Sequence, residues 1–279
     1  MKTTKPLFAT IVLALLLFST SIILAQEEQQ EAPKRPEFIA VTTMHWNMDK
    51  EDFKMSEWKA AEKEYLEKVT MKNEYIMGAS TYLHNMTADN TEFLTVQTFA
   101  SWEDMGKFGK RNSELEKEAW PDETERKAFL KNLNSYYANE HSDEIYAPIS
   151  GAKIMAEKPT KDMLTYIRKS HFAFPEDGTM EEFNTLRMEG NAAIVQKNEY
   201  VKAYYPNVHA WGADKTEYIE AFFLDSLSDL DKMFDRNSEL MKETYPDTEE
   251  NKVKGKAWNK YFTGVHGDYL YTYIHDLSK

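Results

Sequence analysis

The chain repeats itself at a fixed interval, and this constrains its fold more than any other feature. Arg111-Asn112-Ser113-Glu114-Leu115 returns as Arg236-Asn237-Ser238-Glu239-Leu240, an offset of 125 residues. The same offset places Lys72-Asn73-Glu74-Tyr75 on Lys197-Asn198-Glu199-Tyr200, His84 on His209, Tyr136 on Tyr261, His141 on His266 and Tyr146 on Tyr271. One unit of little more than a hundred residues is therefore built twice. Two copies are too few for a solenoid, which needs at least about three. Two copies suit a pair of similar units related by a pseudo-two-fold axis.

The first 25 residues read as an export signal. Lys2 and Lys5 precede an apolar run from Leu7 to Leu24, which ends at Ala25 before polar Gln26-Glu27-Glu28. A basic start, an apolar stretch and a small residue at the cut are the marks of a secretory signal peptide. The expected location is therefore periplasmic or secreted, with no membrane contact after cleavage. Residues 26–36 carry no large apolar side chain and read as a disordered spacer. Removing Lys2 and Lys5 from the 34 basic residues leaves 32 against 47 acidic, a net charge of −15. A surface so acidic repels phosphate backbones, which argues against nucleic acid as a partner. The absence of cysteine excludes disulfides and thiolate metal sites.

Within each unit the pattern is strand, helix, two strands, two helices, strand. Repeat 1 spans 37–150 and repeat 2 spans 162–279, joined by a linker at 151–161. Residues 38–46 and 163–172 read as first strands, with helices expected near 51–70 and 176–196. Residues 75–84 and 200–209 pair through short turns with 92–99 and 217–224, the clearest strands in the chain. Thr179 and Glu182 have capping-box spacing, and Ser101 and Ser226 stand where further helices begin. The extra helix is expected to bury Phe129, Leu133, Tyr136 and Tyr137, and in the second copy Val253, Ala257, Trp258, Tyr261 and Phe262. Final strands are expected at 144–149 and 269–274.

The order β-α-β-β-α-β is the ferredoxin-like split βαβ arrangement, whose antiparallel sheet has helices on one face only. An apolar bare face must be covered, and a second copy covers it. The predicted class is α+β: a tandem duplication of a ferredoxin-like unit, with two antiparallel sheets packed as a pseudo-dimeric α+β barrel. Over residues 38–275 this element order, with an extra helix before the last strand, resembles the dimeric α+β barrel superfamily. That group includes antibiotic-biosynthesis monooxygenase-like, EthD-like and NIPSNAP-like proteins, and haem-binding chlorite dismutase-like proteins. The resemblance implies a small-molecule site and an oxygenase or isomerase type of activity, with or without haem. Fold alone does not assign function.

Histidine is the most informative residue type for chemistry. His84 and His209 end second strands, His141 and His266 precede last strands, and His45 and His171 end first strands. Imidazole can ligate a metal or haem, or act as a general base. It also serves as a hydrogen-bonding residue at a strand end. An aromatic set, Tyr82, Tyr136, Trp211 and Tyr261 among them, reads either as core or as the wall of an apolar pocket between sheet and helices, with His84 and His141, or His209 and His266, at its rim. Nucleophile elbows, P-loops, G-x-G-x-x-G and H-E-x-x-H are all absent. Three readings stay open: a binder or cofactor-free enzyme for a small hydrophobic or aromatic ligand, a non-catalytic structural or partner-binding protein, and a haem- or metal-dependent enzyme. The sequence identifies no cofactor and no resident metal.

Overall fold

The computed structural model describes residues 35–279, so the export segment and nearly all of the spacer lie outside the described residues. Residues Pro36–Lys279 form one compact unit. The first half runs β1 (Phe38–Trp46), α1 (Met55–Lys68), a 3-10 turn (Thr70–Lys72), β2 (Gly78–Met86), β3 (Glu92–Phe99), α2 (Trp102–Ala119), α3 (Glu123–Asn134) and β4 (Tyr137–Pro148). The second half runs β5 (Met163–Phe172), α4 (Met180–Gly190), a π-helical turn (Asn191–Val195), β6 (Ala203–Trp211), β7 (Glu217–Leu224), α5 (Leu227–Thr244), α6 (Glu249–Asn259) and β8 (Phe262–Ser278).

The eight strands close a barrel in the order β1-β3-β2-β8-β5-β7-β6-β4, every neighbour antiparallel. Each half contributes one four-stranded sheet, and the sheets join edge to edge through β2 with β8 and β4 with β6. Closure leaves no open sheet edge among the described strands. The face that duplication was expected to cover becomes the barrel lumen. Successive strand residues point to opposite faces, so Thr43 looks into the lumen and Met44 toward the helices. Four antiparallel steps separate β1 from β5, so the two strands run in the same direction and end at the same rim.

The helices pack outside the barrel on aromatic side chains. Trp58, Phe93 and Tyr136 are buried in the first half, and Phe183, Tyr218 and Tyr261 in the second. Helix starts follow local chemistry. Ser101 accepts from Asp104 N, Asp122 from Thr124 N and Glu125 N, and Thr179 from Glu182 N. In α5, Ser226 instead donates to Asp229 Oδ2 at 2.7 Å, and in α6 the cap is Thr248. The extra helices are shorter and the last strands longer than the apolar spacing implied. α3 stops at Asn134, which places Tyr136 in the turn and Tyr137 in β4. His141 and His266 consequently lie inside strands, not ahead of them. Long pairings with β1 and β5 hold these segments extended, and tertiary pairing overrides the helical period.

The repeated motifs have a structural use. Asn73 and Asn198 are fully buried. Asn198 Nδ2 donates to Met233 O at 3.0 Å and to Asn237 Oδ1 at 2.8 Å, while its Oδ1 accepts from Tyr200 N at 3.0 Å. Asn73 repeats these bonds with Phe108 O, Asn112 and Tyr75 N. Arg111 pairs with Glu74, Glu114 and Glu118 on the surface, and Arg236 with Glu199, Glu239 and Glu243. Both sequence repeats thus lock a loop onto a helix.

Candidate functional site

Two cavities carry chemistry. The larger, of about 610 Å³, is the barrel lumen. Ile39, Val41, Leu94, Val96, Ile167 and Phe223 line it, with Tyr82, Tyr205 and Tyr273. Near the rim where β1 and β5 end, it becomes polar in a pseudo-symmetric way. Tyr146 of the first half donates to Glu217 of the second at 2.6 Å, and Tyr271 of the second donates to Glu92 of the first at 2.7 Å. Burial, reinforced by these carboxylates, pushes both phenol pKa values well above the ordinary range, so both hydroxyls stay protonated.

The smaller cavity, of about 290 Å³, lies between the outer face of the second sheet and α4, α5 and α6. Leu186, Ile194, Met241 and Trp258 make it largely apolar; Arg187, Tyr204, Tyr218 and Glu220 are polar groups of its wall, and Asn251 and the Glu189–Lys254 ion pair also line it. Arg187 is only 4% exposed. Its guanidinium is held by Ser150, Nη1 to the carbonyl at 2.7 Å and Nη2 to Oγ at 3.0 Å, and its Nε–H has no partner among the described residues. Glu220 accepts from Tyr204 at 2.6 Å. Burial raises the Glu220 pKa, while Tyr204, Arg168, Tyr218 and Arg187 pull it back. Burial and the same carboxylate hold Tyr204 protonated.

The π-helical turn shapes this pocket. Asn191, Ile194 and Val195 line the wall, and Asn191 Nδ2 donates to the Gly151 carbonyl of the linker. Single π turns inside helices recur at functional sites. The first half has a helix end and a 3-10 turn in the corresponding place. Where Arg187 stands in the second half, the first has Glu62, whose carboxyl accepts the Tyr137 hydroxyl; Thr95 stands where Glu220 does. The polar equipment of this pocket belongs to one half only.

The residues singled out from sequence are dispersed. Tyr82 lines the lumen. Tyr136 and Tyr261 are core, and Tyr261 bonds the backbone of Thr179 at the start of α4. Trp211 is 69% exposed at the end of β6. His45 lies opposite Glu92 on the lumen side, but its Nδ1 turns to Asp89 and Thr91 in the β2–β3 turn. His171 makes the same clamp to Asp214 and Thr216. His84 bonds Thr87 at 2.8 Å, and His209 has a buried Nε2 without a partner among the described residues.

His141 and His266 are exposed beside Asp143 and Asp268. They do not join His84 and His209. Met44 pairs with both Phe93 and His141, and Phe93 pairs with Leu83, so His141 shares the outer-face row while His84 has the opposite parity. Two strands also stand between them. A pocket shared by the two imidazoles of one half is therefore ruled out by strand parity.

Glu92, Glu217, Arg187 and Glu220 were not singled out from sequence. The signal was present in EYIEAFFL: two acids three residues apart in a strand must face opposite sides, one into the lumen and one toward the helices. Among the described residues no histidine lines either cavity, and the sequence has no cysteine. The residues lining the two cavities therefore do not offer the imidazole or thiolate that most haem sites use.

No known family model matches the chain, and no curated protein matches it by sequence. Solved structures do match. A candidate monooxygenase of Lactobacillus acidophilus NCFM is similar with a TM-score of 0.50 at 8% identity, covering 87% of this chain and 95% of that one. A candidate monooxygenase of Fusobacterium nucleatum is similar with a TM-score of 0.50 at 10% identity, covering 85% of this chain and 92% of that one. At such identities the likeness speaks for fold alone, and it agrees with the closed barrel and its 4-1-3-2 strand order in each half. The chain has the fold of the dimeric α+β barrel superfamily, with both halves of the barrel supplied by one polypeptide.

Proposed function

We propose that the protein binds a compact apolar or aromatic ligand bearing one acidic oxygen, in the pocket between the second sheet and its helices. The observation that carries this reading is the buried Arg187 beside a largely apolar cavity, with an Nε–H that nothing among the described residues accepts. Leaving a buried donor unpaired costs about 1–3 kcal/mol, and a carboxylate, phenolate or enolate oxygen would recover it. Glu220 is the group placed to move a proton. A carboxylate whose pKa is raised by burial is a better base near neutral pH. It could take a proton from a carbon next to a carbonyl and return it, while Arg187 holds the resulting enolate.

The test is titration of the full chain with benzoate-sized aromatic acids, read by calorimetry, and deuterium exchange at the acidic C–H of a bound keto acid. Arg187→Lys keeps the charge but loses the fork, and should weaken binding about tenfold or more. Glu220→Gln should retain binding and lose exchange. Failure of all such acids to bind would return the pocket to a structural role and favour the partner-binding reading. Export is also part of this proposal, on the strength of residues 1–25: protein from the native host should begin at Gln26, and an intact mass retaining Met1 would refute it.

A further inference from the structure

The two halves disagree at one position inside the barrel. At one side of the lumen, Glu217 is neutralised by Lys169 at 2.8 Å and also accepts from Tyr146. At the equivalent place in the first half, Glu92 accepts from Tyr271 alone. The residue in β1 that corresponds to Lys169 is Thr43, just as His45 corresponds to His171. Glu92 therefore has no cationic partner among the described residues. Its histidine neighbours do not supply one: His45 is turned to Asp89, and His84 to Thr87. The other lumen acid, Glu144, is also committed. Its carboxylate accepts from Ala213 N at 3.2 Å, seated against Gly212, where φ is +145° and no Cβ intervenes.

We infer that the lumen is a second binding site, separate from the sheet–helix pocket, and that it takes a small apolar amine as its ammonium ion on Glu92. The apolar body has a place to go. Tyr82 and Leu94 lie two residues from the Glu92 row, on β2 and β3, about 7 Å deeper into the barrel. Tyr273 and Phe223 continue that wall, with ring centroids 5.6 and 6.2 Å from Tyr82. A carboxylate at the polar rim of an aromatic-walled cavity of about 610 Å³ favours a cation with a hydrophobic tail over a neutral or anionic analogue of the same shape.

The test is calorimetric titration of the full chain with 2-phenylethylammonium, 2-phenylethanol and 3-phenylpropionate. The ammonium should bind about tenfold or more tighter than the alcohol, and the carboxylate more weakly than both. Glu92→Gln should abolish the preference for the cation while leaving alcohol binding unchanged. Thr43→Lys should do the same by giving Glu92 the partner that Lys169 gives Glu217. Arg236→Ala, in the surface ion-pair network of α5 and outside both cavities, should change nothing. Each variant is checked by thermal melting, and either one alone decides the matter if the other does not fold. Binding of the alcohol as tightly as the ammonium, a preference that survives both substitutions, or no binding by any of the three would overturn the inference.

Discussion

Substituting Asn198 with alanine offers the sharpest test of how the duplicated motifs work. The side chain is fully buried and makes three hydrogen bonds, at 3.0, 2.8 and 3.0 Å. Each bond contributes about 1 kcal/mol net, and each orphaned buried group costs about 1–3 kcal/mol. Asn198→Ala removes all three and strands Asn237 Oδ1 and Tyr200 N–H, so the expected loss is about 3–5 kcal/mol. In a chain of this size each kcal/mol moves the melting temperature by about 2–4 °C, so the transition should fall by roughly 10 °C. Urea unfolding of the purified chain, with the slope unchanged, gives the free energy directly. Arg236→Ala is the contrast. It removes a surface network of equal prominence in the repeat and should cost only about 0–1 kcal/mol. A loss in Asn198→Ala no larger than in Arg236→Ala would refute the view that the buried asparagine, rather than the salt-bridge network, explains why both motifs recur.

Two further outcomes follow from the fold. Burial raises the Glu220 pKa above its unfolded value, so its contribution to stability is fully present below the unfolded pKa and is lost as pH rises through the folded one. Glu220→Gln should therefore melt increasingly above wild type as pH goes from about 4.5 to 8, and a gap constant with pH would contradict this. Residues 36–150 expressed alone would leave β2 and β4 as open edges. Size-exclusion with light scattering should find a dimer or aggregates, and a stable monomer would count against edge-to-edge closure as the reason for duplication.

Much of the architecture was legible in one dimension. The offset between Arg111-Asn112-Ser113-Glu114-Leu115 and its copy, with alternating apolar strands between capped helices, determined the duplicated split βαβ order. Composition excluded thiolate sites. What alternation along a single strand could not decide was partnership between strands. That His84 and His141 face opposite sides of the sheet follows from the pairing of Met44 with Phe93 and His141, a tertiary register. The extension of β4 back to Tyr137 has the same origin, because local helical period lost to pairing with β1. The functional candidates depended still more on three dimensions. Tyr146 and Tyr271 are related by the repeat, yet each serves the other half's glutamate, and only barrel closure brings them there. Identical sequence marked where the copies agree. The pockets lie where they differ, at Lys169 against Thr43 and Arg187 against Glu62. The cost of a buried charge depends on what surrounds it in space, and those surroundings come from strands and helices distant in the chain.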